Sequence, residues 1–237
     1  MELIDKKENQ ITFRAEITDS LANAIRRYIN QIPVLAIDEA EIYKNDSPLY
    51  DETVAHRIGL IPLNMDKSVN EKTEMELKLT AKGEGMVYSG DLKGALGVVY
   101  DKIPITSLGE EGELQIVAYA KTGKGSEHSK FSPGLIYYRH VVELKTDADL
   151  YDKLKEYFPD NEVKKEGKNV TVLDDQKKEI SDIFEEICRE EGKKLEIIPK
   201  DELIVTIESF GQLDINEIVK RIISTFKKDL EFVSKKI

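Results

Sequence analysis

Phe13, Ala15 and Ile17 alternate with polar residues, the period of a half-buried strand, and the pattern changes at Asp19. From there Leu21, Ala24, Ile25, Tyr28, Ile29 and Ile32 recur at helical spacing, predicting a helix with one apolar stripe and with Asp19 or Ser20 as its N-cap. Pro33 has no N–H and disfavours the α conformation in the residue before it, so this helix ends near Asn30 or Gln31. Residues 2–17 read as two strands, and Val34 to Tyr43 as a strand leaving a core for a more exposed edge. Asn45-Asp46-Ser47-Pro48 is a turn cluster. Beyond it Asp51 or Thr53 can cap a short helix to about Ile58, with Gly59 suited to a left-handed closing position.

From Thr73 to Val142 the pattern has a period of two: Met75, Leu77 and Leu79 alternate, as do Leu114, Ile116 and Ala118, between glycine-containing turns. The run Leu135 to Val142 is apolar enough for an interior strand. Residues 147–200 change character. Asp147 or Asp149 can cap a helix reaching about Phe158, Val163 and Val170-Thr171-Val172 flank a small hairpin, and Ile180, Ile183, Phe184, Ile187 and Cys188 form a second helical stripe closed by Gly192. Strands follow at Leu195–Ile198 and Leu203–Ile207. Asp214 then caps a last helix, on which Ile215, Ile218, Val219, Ile222, Ile223, Phe226, Leu230 and Val233 keep one stripe. At 1.5 Å per residue it spans roughly 35 Å. That stripe and the one at 20–31 are too long and too apolar for one small half-domain, which predicts a helix-mediated subunit interface.

At 237 residues the chain holds one large domain or two modest ones. Lys+Arg 35 against Asp+Glu 46 gives a formal charge of −11, a field that repels phosphate and disfavours extensive DNA contact. The single cysteine, Cys188, allows neither an internal disulfide nor a multi-cysteine metal site, and fits a reducing cytoplasm. No apolar run approaches ~18 residues and no signal-peptide pattern opens the chain, so neither membrane insertion nor export is expected.

Candidate chemistry is sparse. Glu52 and His56 share a helix face beside Asp51, but these supply too few ligands for a metal and lack the H-E-x-x-H arrangement. Gly123-Lys124-Gly125 lacks the P-loop's upstream glycine, because position 118 is Ala, and reads as a hairpin or bulge. His56, His128 and His140 have no nucleophile paired with them locally. Arg26 and Arg27, near the end of the first helix, either serve its dipole in solvent or reach a partner's carboxylate or carbonyl.

Asn23-Ala24-Ile25-Arg26-Arg27, then Ile32-Pro33-Val34-Leu35-Ala36-Ile37, then Asp51-Glu52 through Ala55-His56-Arg57-Ile58-Gly59-Leu60-Ile61-Pro62, carry a resemblance. Phe131-Ser132-Pro133 with Tyr138-Arg139, and Val205 to Gly211 before the last helix, agree with it. The chain resembles the α-like subunit of multisubunit DNA-directed RNA polymerases in its archaeal, D-type form. The resemblance implies an α+β fold: a discontinuous dimerisation domain (1–44 and 201–237), an inserted mostly-β domain (45–146) and a small α+β module (147–200), a remnant of a ferredoxin-like unit. It implies a non-catalytic assembly subunit, with the polymerase chemistry elsewhere in the complex. The dimerisation helices, through Leu21, Ile25, Tyr28, Ile29, Ile218, Ile222, Phe226 and Leu230, would pair with a smaller α-like subunit as the platform for the large catalytic subunits. Arg26, Arg27, His56 and Arg57 match its most distinctive positions and are candidates for contact with large or accessory subunits. Some relatives ligate an iron–sulfur cluster in the 147–200 region; with Cys188 alone no cluster, and no other cofactor, is expected. Two other readings stand beside this one: a homodimeric adaptor using the same helices, and a small hydrolase built on Asp51, Glu52 and His56.

Overall fold

A computed structural model describes residues 1–66, 69–70, 72–159 and 161–236. In chain order the elements are β1 (Glu2–Lys7), β2 (Gln10–Ala15), α1 (Asp19–Tyr28) with a 3-10 turn at Ile29–Gln31, β3 (Pro33–Asn45), α2 (Asp51–Gly59), β4 (Glu74–Lys82), β5 (Gly85–Tyr88) and β6 (Lys93–Gly94). There follow β7 (Pro104–Leu108), β8 (Glu113–Lys124), β9 (Gly134–Asp147), α3 (Tyr151–Tyr157), β10 (Val163–Glu166), β11 (Asn169–Asp174), α4 (Ser181–Glu190), β12 (Glu196–Ser209) and α5 (Ile215–Ser234). The fold is α+β with strands predominating. The chain divides into two compact units, Met1–Ala24 with Ile136–Ile207, and Ile25–Leu135 with Glu208–Ile237.

The first unit is organised by a six-stranded sheet in the order β1-β2-β12-β9-β11-β10. β9 lies inside that sheet between β12 and β11, but its apolar run is only partly covered: Ile136 and Val141 are buried, whereas Leu135 and Tyr137 are exposed. α3 and α4 contribute Leu154, Phe158, Phe184 and Ile187 to a core shared with Leu144, Val170 and Val172 of the strands. The Phe158 and Phe184 rings stack with centroids 6.0 Å apart. Cys188 closes this core, and burial pushes its thiol up from the ordinary range. The β10–β11 hairpin forms as its pattern predicts, with Gly167 at φ +63° in the turn.

The sequence pattern places a boundary at 146/147, but β9 runs through it without a break. Residues 147–200 supply β10, β11 and the outer half of β12 to the sheet that also holds β1 and β2. The strands expected at 195–198 and 203–207 are one 14-residue strand. Its outer half alternates between exposed and half-buried positions while Leu203–Ile207 is buried, so composition alone divides it in two. Asp147 and Asp149 do not cap α3; a 3-10 turn at Ala148–Leu150 precedes that helix instead.

A buried ion pair ties the first unit together. Asp174, fully buried at the end of β11, accepts from Arg139 Nη2 of β9 at 2.7 Å, and from the Ile180 N–H (3.1 Å) and Ser181 Oγ (3.3 Å) at the start of α4. Arg139 also donates to the Gln176 carbonyl at 2.7 Å.

In the second unit β3, β8, β4 and β6 form an antiparallel sheet and β5 pairs with β7. The period-two residues point inward as the pattern predicts: Leu77, Leu79, Leu114, Ile116 and Ala118 share one core with Leu35 and Ile37 of β3 and with Val54 and Ile58 of α2. α2 begins without a side-chain cap. Tyr50 holds the N-cap position, and the Asp51 carboxylate accepts from Asn45 Nδ2 at 2.8 Å instead. Gly59 is not left-handed; the chain leaves through Leu60 in a right-handed conformation whose N–H reaches the Arg57 carbonyl. Gly134 lies so close to the Glu208 carbonyl oxygen that a Cβ there would be 2.2 Å from it.

Candidate subunit interface

Gly211, at φ +91°, turns the chain out of β12. The Asp214 carboxylate then accepts the Glu217 N–H at 3.0 Å, satisfying one of the first-turn donors of α5. The first half of the helix is consumed by its own unit, where Ile215, Ile218 and Ile222 are buried. Beyond Ile222 no residue of the helix is fully buried. Ile223 is 46% exposed, Leu230 53% and Val233 52%, all on the continuation of the same stripe. Phe226 is half-buried, with the Tyr28 ring edge-on at 4.8 Å. The Tyr28 hydroxyl donates to Asp229 Oδ2 at 2.9 Å, and the carboxylate so placed pushes the phenol up from its usual value. The end of α1 is thereby clipped to α5, leaving about the last two turns, Lys227–Ser234, in solvent.

The apolar residues named for an interface therefore divide. Ile29, Ile218 and Ile222 are buried in their own unit and present no surface to another chain. Ile25, Tyr28 and Phe226 are half-buried, while Leu21 and Leu230 are exposed. Ile223 and Val233 join Leu230 on the open stripe of α5, and Phe232 lies beside it under the Lys236 ammonium, 4.4 Å from the ring centroid. Helical periodicity carries Ile223 and Val233; Phe232 falls off the period and has no signal in the sequence.

Arg26 and Arg27 are exposed near the end of α1. Arg57 spans from α2 to β7, donating from Nη1 to the Ile105 carbonyl at 2.8 Å. His56, exposed, lines a concavity of about 160 Å³ with Ala55, Leu60, His128 and Lys130. Lys130 is held there by Asp38 at 2.6 Å, and Asp38 also binds Lys121 at 2.5 Å; both lysines hold the Asp38 carboxyl below its ordinary range. Asp51 is engaged by Asn45, and no group of three or more His, Cys, Asp or Glu among the described residues is arranged to hold a metal ion. A wider groove of about 450 Å³ brings the separated motif segments together: Leu60 and Pro62 after α2, Ser132 before β9, and Phe210 after β12, with Tyr100 and Ile103. Ser132 and Gln212 are already hydrogen-bonded within the unit, Ser132 to Asn30 and Gly134, Gln212 to the Leu35 carbonyl. Lys130 and Glu208 add charge at its wall, so the groove offers a mixed surface with Leu60, Pro62, Ile103 and Phe210 as its apolar part.

No helix among the described residues is long and apolar enough to cross a membrane. Residues 36–137 match the family model for the RNA polymerase Rpb3/RpoA insert domain. The chain is 37% identical over 240 residues to DNA-directed RNA polymerase subunit Rpo3 of Pyrococcus furiosus, an alignment covering 92% of this chain and 89% of that protein. It is 34% identical over 233 residues to subunit Rpo3 of Thermococcus kodakarensis, with 92% and 89% covered, and 34% identical over 196 residues to that of Methanothermobacter thermautotrophicus, with 73% and 74% covered. A stripe of apolar helix left open by its own fold, a groove assembled from three motif segments, and relatives matched over nine-tenths of both chains lead to one assignment: the chain belongs to the family of the archaeal RNA polymerase subunit Rpo3.

Proposed function

We propose that this chain is the D-type, α-like assembly subunit of a multisubunit DNA-directed RNA polymerase and works by pairing rather than by chemistry. It joins a smaller α-like subunit through α1 and the outer half of α5, and the heterodimer is the platform on which the large catalytic subunits assemble. The observation that carries this is the open apolar stripe at Ile223, Leu230 and Val233, since a charged, acidic protein gains nothing by leaving such a face in water. In this reading residues 1–44 and 201–237 act as the dimerisation domain, with 45–146 as its insert and 147–200 as an appended module. The groove at Leu60, Pro62 and Phe210, with Arg26, Arg27, His56 and Arg57, faces large or accessory subunits. A cytoplasmic location and the absence of any iron–sulfur cluster belong to the same proposal. Both are supported by the lone, core-buried Cys188.

The test is native mass measurement of the chain co-expressed with the small α-like subunit of the same source, beside a Leu230→Asp/Val233→Asp variant. A one-to-one complex for the wild type and free chains for the variant are expected. A variant that pairs as well as the wild type removes the basis of the proposal. A wild-type self-dimer indifferent to the small subunit would favour the homodimeric adaptor.

A further inference from the structure

The sheet of the second unit turns Leu35, Ile37, Leu77, Ile116 and Ala118 inward, so the alternate residues of its strands stand on the outer face. There Tyr119 of β8 lies directly between Glu39 of β3 and Glu76 of β4, its partners in the two neighbouring strands. All three are exposed, Tyr119 by 37%. With about 4.8 Å between strands, the two glutamate backbones stand roughly 10 Å apart and the ring forms a floor between them. Glu41 accepts from the hydroxyls of Tyr119, at 3.4 Å, and of Tyr43, itself 66% exposed. Glu39, Glu74, Glu76, Tyr119 and Lys121 line a concavity of about 370 Å³. The lysines of this face are spent, Lys78 on Glu76 at 2.9 Å and Lys121 on Asp38 at 2.5 Å. Glu39, Glu41 and Glu74 enter no ion pair among the described residues. Burial, with the charges of Glu41 and Glu76, pushes the Tyr119 phenol up from its ordinary value, as a negative field over the ring requires.

β3 is an edge strand, and charge of either sign along it guards against unwanted pairing. That accounts for charged side chains but not for two tyrosines left in water among carboxylates. The face of an aromatic ring is negative, so a cation set over Tyr119 gains from the ring and from the acids beside it at once. We propose that the outer face of this sheet is a docking surface for a basic segment of another protein, which lays an arginine over Tyr119 and donates to the carboxylates on either side. Arginine suits the place better than lysine, because its planar guanidinium stacks on a ring while its edges still reach carboxylates. The same charge excludes other occupants. Nucleic acid and anionic lipid are repelled by it, and a second copy of this chain, with its formal −11, would set carboxylate against carboxylate. The inference goes beyond the pairing proposed above and uses none of the side chains named for it.

The experiment titrates fluorescein-labelled hexa-arginine and hexa-lysine peptides with the full chain and follows anisotropy at about 0.05 and 0.5 M NaCl, between which the Debye length shrinks roughly threefold. Four proteins are compared: the wild type, Glu39→Gln/Glu74→Gln, Tyr119→Leu, and Glu110→Gln/Glu111→Gln. The last removes the same charge from the exposed turn between β7 and β8. At low salt the wild type should bind hexa-arginine about threefold more tightly than hexa-lysine. Glu39→Gln/Glu74→Gln should weaken binding of hexa-arginine about fivefold and Tyr119→Leu about threefold, while the turn variant stays close to the wild type. All four should converge at high salt. Thermal melts check the fold. Should Tyr119→Leu melt early, the glutamine variant decides, because its sites are exposed and hold no ion pair. A wild type that binds neither peptide overturns the proposal. So does a turn variant weakened as much as Glu39→Gln/Glu74→Gln, since binding would then follow net charge alone, or a folded Tyr119→Leu that binds hexa-arginine as the wild type does. Native mass measurement of the chain alone covers the remaining occupant: a self-dimer that Tyr119→Leu disperses gives the face to a second copy and refutes the basic partner. None of these results bears on pairing through Leu230, so the two proposals fail separately.

Discussion

Replacing Arg139 by Ala removes the side-chain cation paired with a carboxylate that has no access to water. Asp174 is fully buried, while the Arg139 side chain is 21% exposed and spends its other donors on the Gln176, Asp174 and His140 carbonyls. The variant strands the Asp174 charge with two remaining donors, the Ile180 N–H and Ser181 Oγ. It also leaves the Gln176 carbonyl without its 2.7 Å donor. Breaking a buried pair from one side costs about 3–5 kcal/mol, and the partial exposure of Arg139 places this case toward the lower end. In urea, with an m-value of about 3 kcal/mol per M, the unfolding midpoint falls by about 1 M. Because the chain holds two compact units, the loss is read locally, by hydrogen exchange of β9, β11 and α4 alongside circular dichroism. Asp174→Asn keeps an acceptor for the Ile180 N–H but removes the charge, and should cost less than Asp174→Ala, which leaves that N–H without its acceptor. An Arg139→Met/Asp174→Leu double variant should recover much of the loss, since a buried pair often gives way to apolar groups at little net cost. An Arg139→Ala protein within about 0.5 kcal/mol of the wild type would refute the reasoning, because that is the worth of a solvated surface pair.

Gly134→Ala should lower stability by about 1–3 kcal/mol, because its Cβ would stand 2.2 Å from the Glu208 backbone oxygen and backbone must yield. Gly109→Ala, with nothing within 4 Å of its Cβ, serves as the control and should be neutral or slightly stabilising in a thermal melt. Asp38 gives a pH test: Lys121 and Lys130 depress its carboxyl in the folded state, so its contribution is present above the ordinary aspartate value of 3.8 and lost as pH falls below it. The wild type should therefore lose more stability on acidification through that range than Asp38→Asn, measured by urea midpoints at successive pH values; identical pH curves would remove Asp38 from the account.

The two ends of α5 show what a sequence can and cannot convey about such a site. The start is local. An aspartate three residues before a backbone N–H it can accept from is visible in the chain, and Asp214 caps Glu217 as its position predicts. The same reasoning misleads at α2, because Asp51 finds a competing donor in the Asn45 side chain six residues back. Helical period likewise gives one continuous stripe from Ile215 to Val233 but contains no mark at Ile222, its last fully buried residue. That limit depends on how far the 3-10 turn at Ile29–Gln31 and the Tyr28 ring reach along the helix, a distance fixed by tertiary packing. Arg139 and Asp174, 35 residues apart, meet only because β9 and β11 are neighbours in one particular register. An alternating pattern identifies strands without saying which lie side by side. The residues that build the units were thus legible where their partners are near in sequence. Those that decide how much of each helix is left for another chain were not. For this reason Ile218 and Ile222, apolar and in phase, belong to the core, whereas Leu230, two turns beyond Ile222 on the same face, is free to be covered by a second polypeptide.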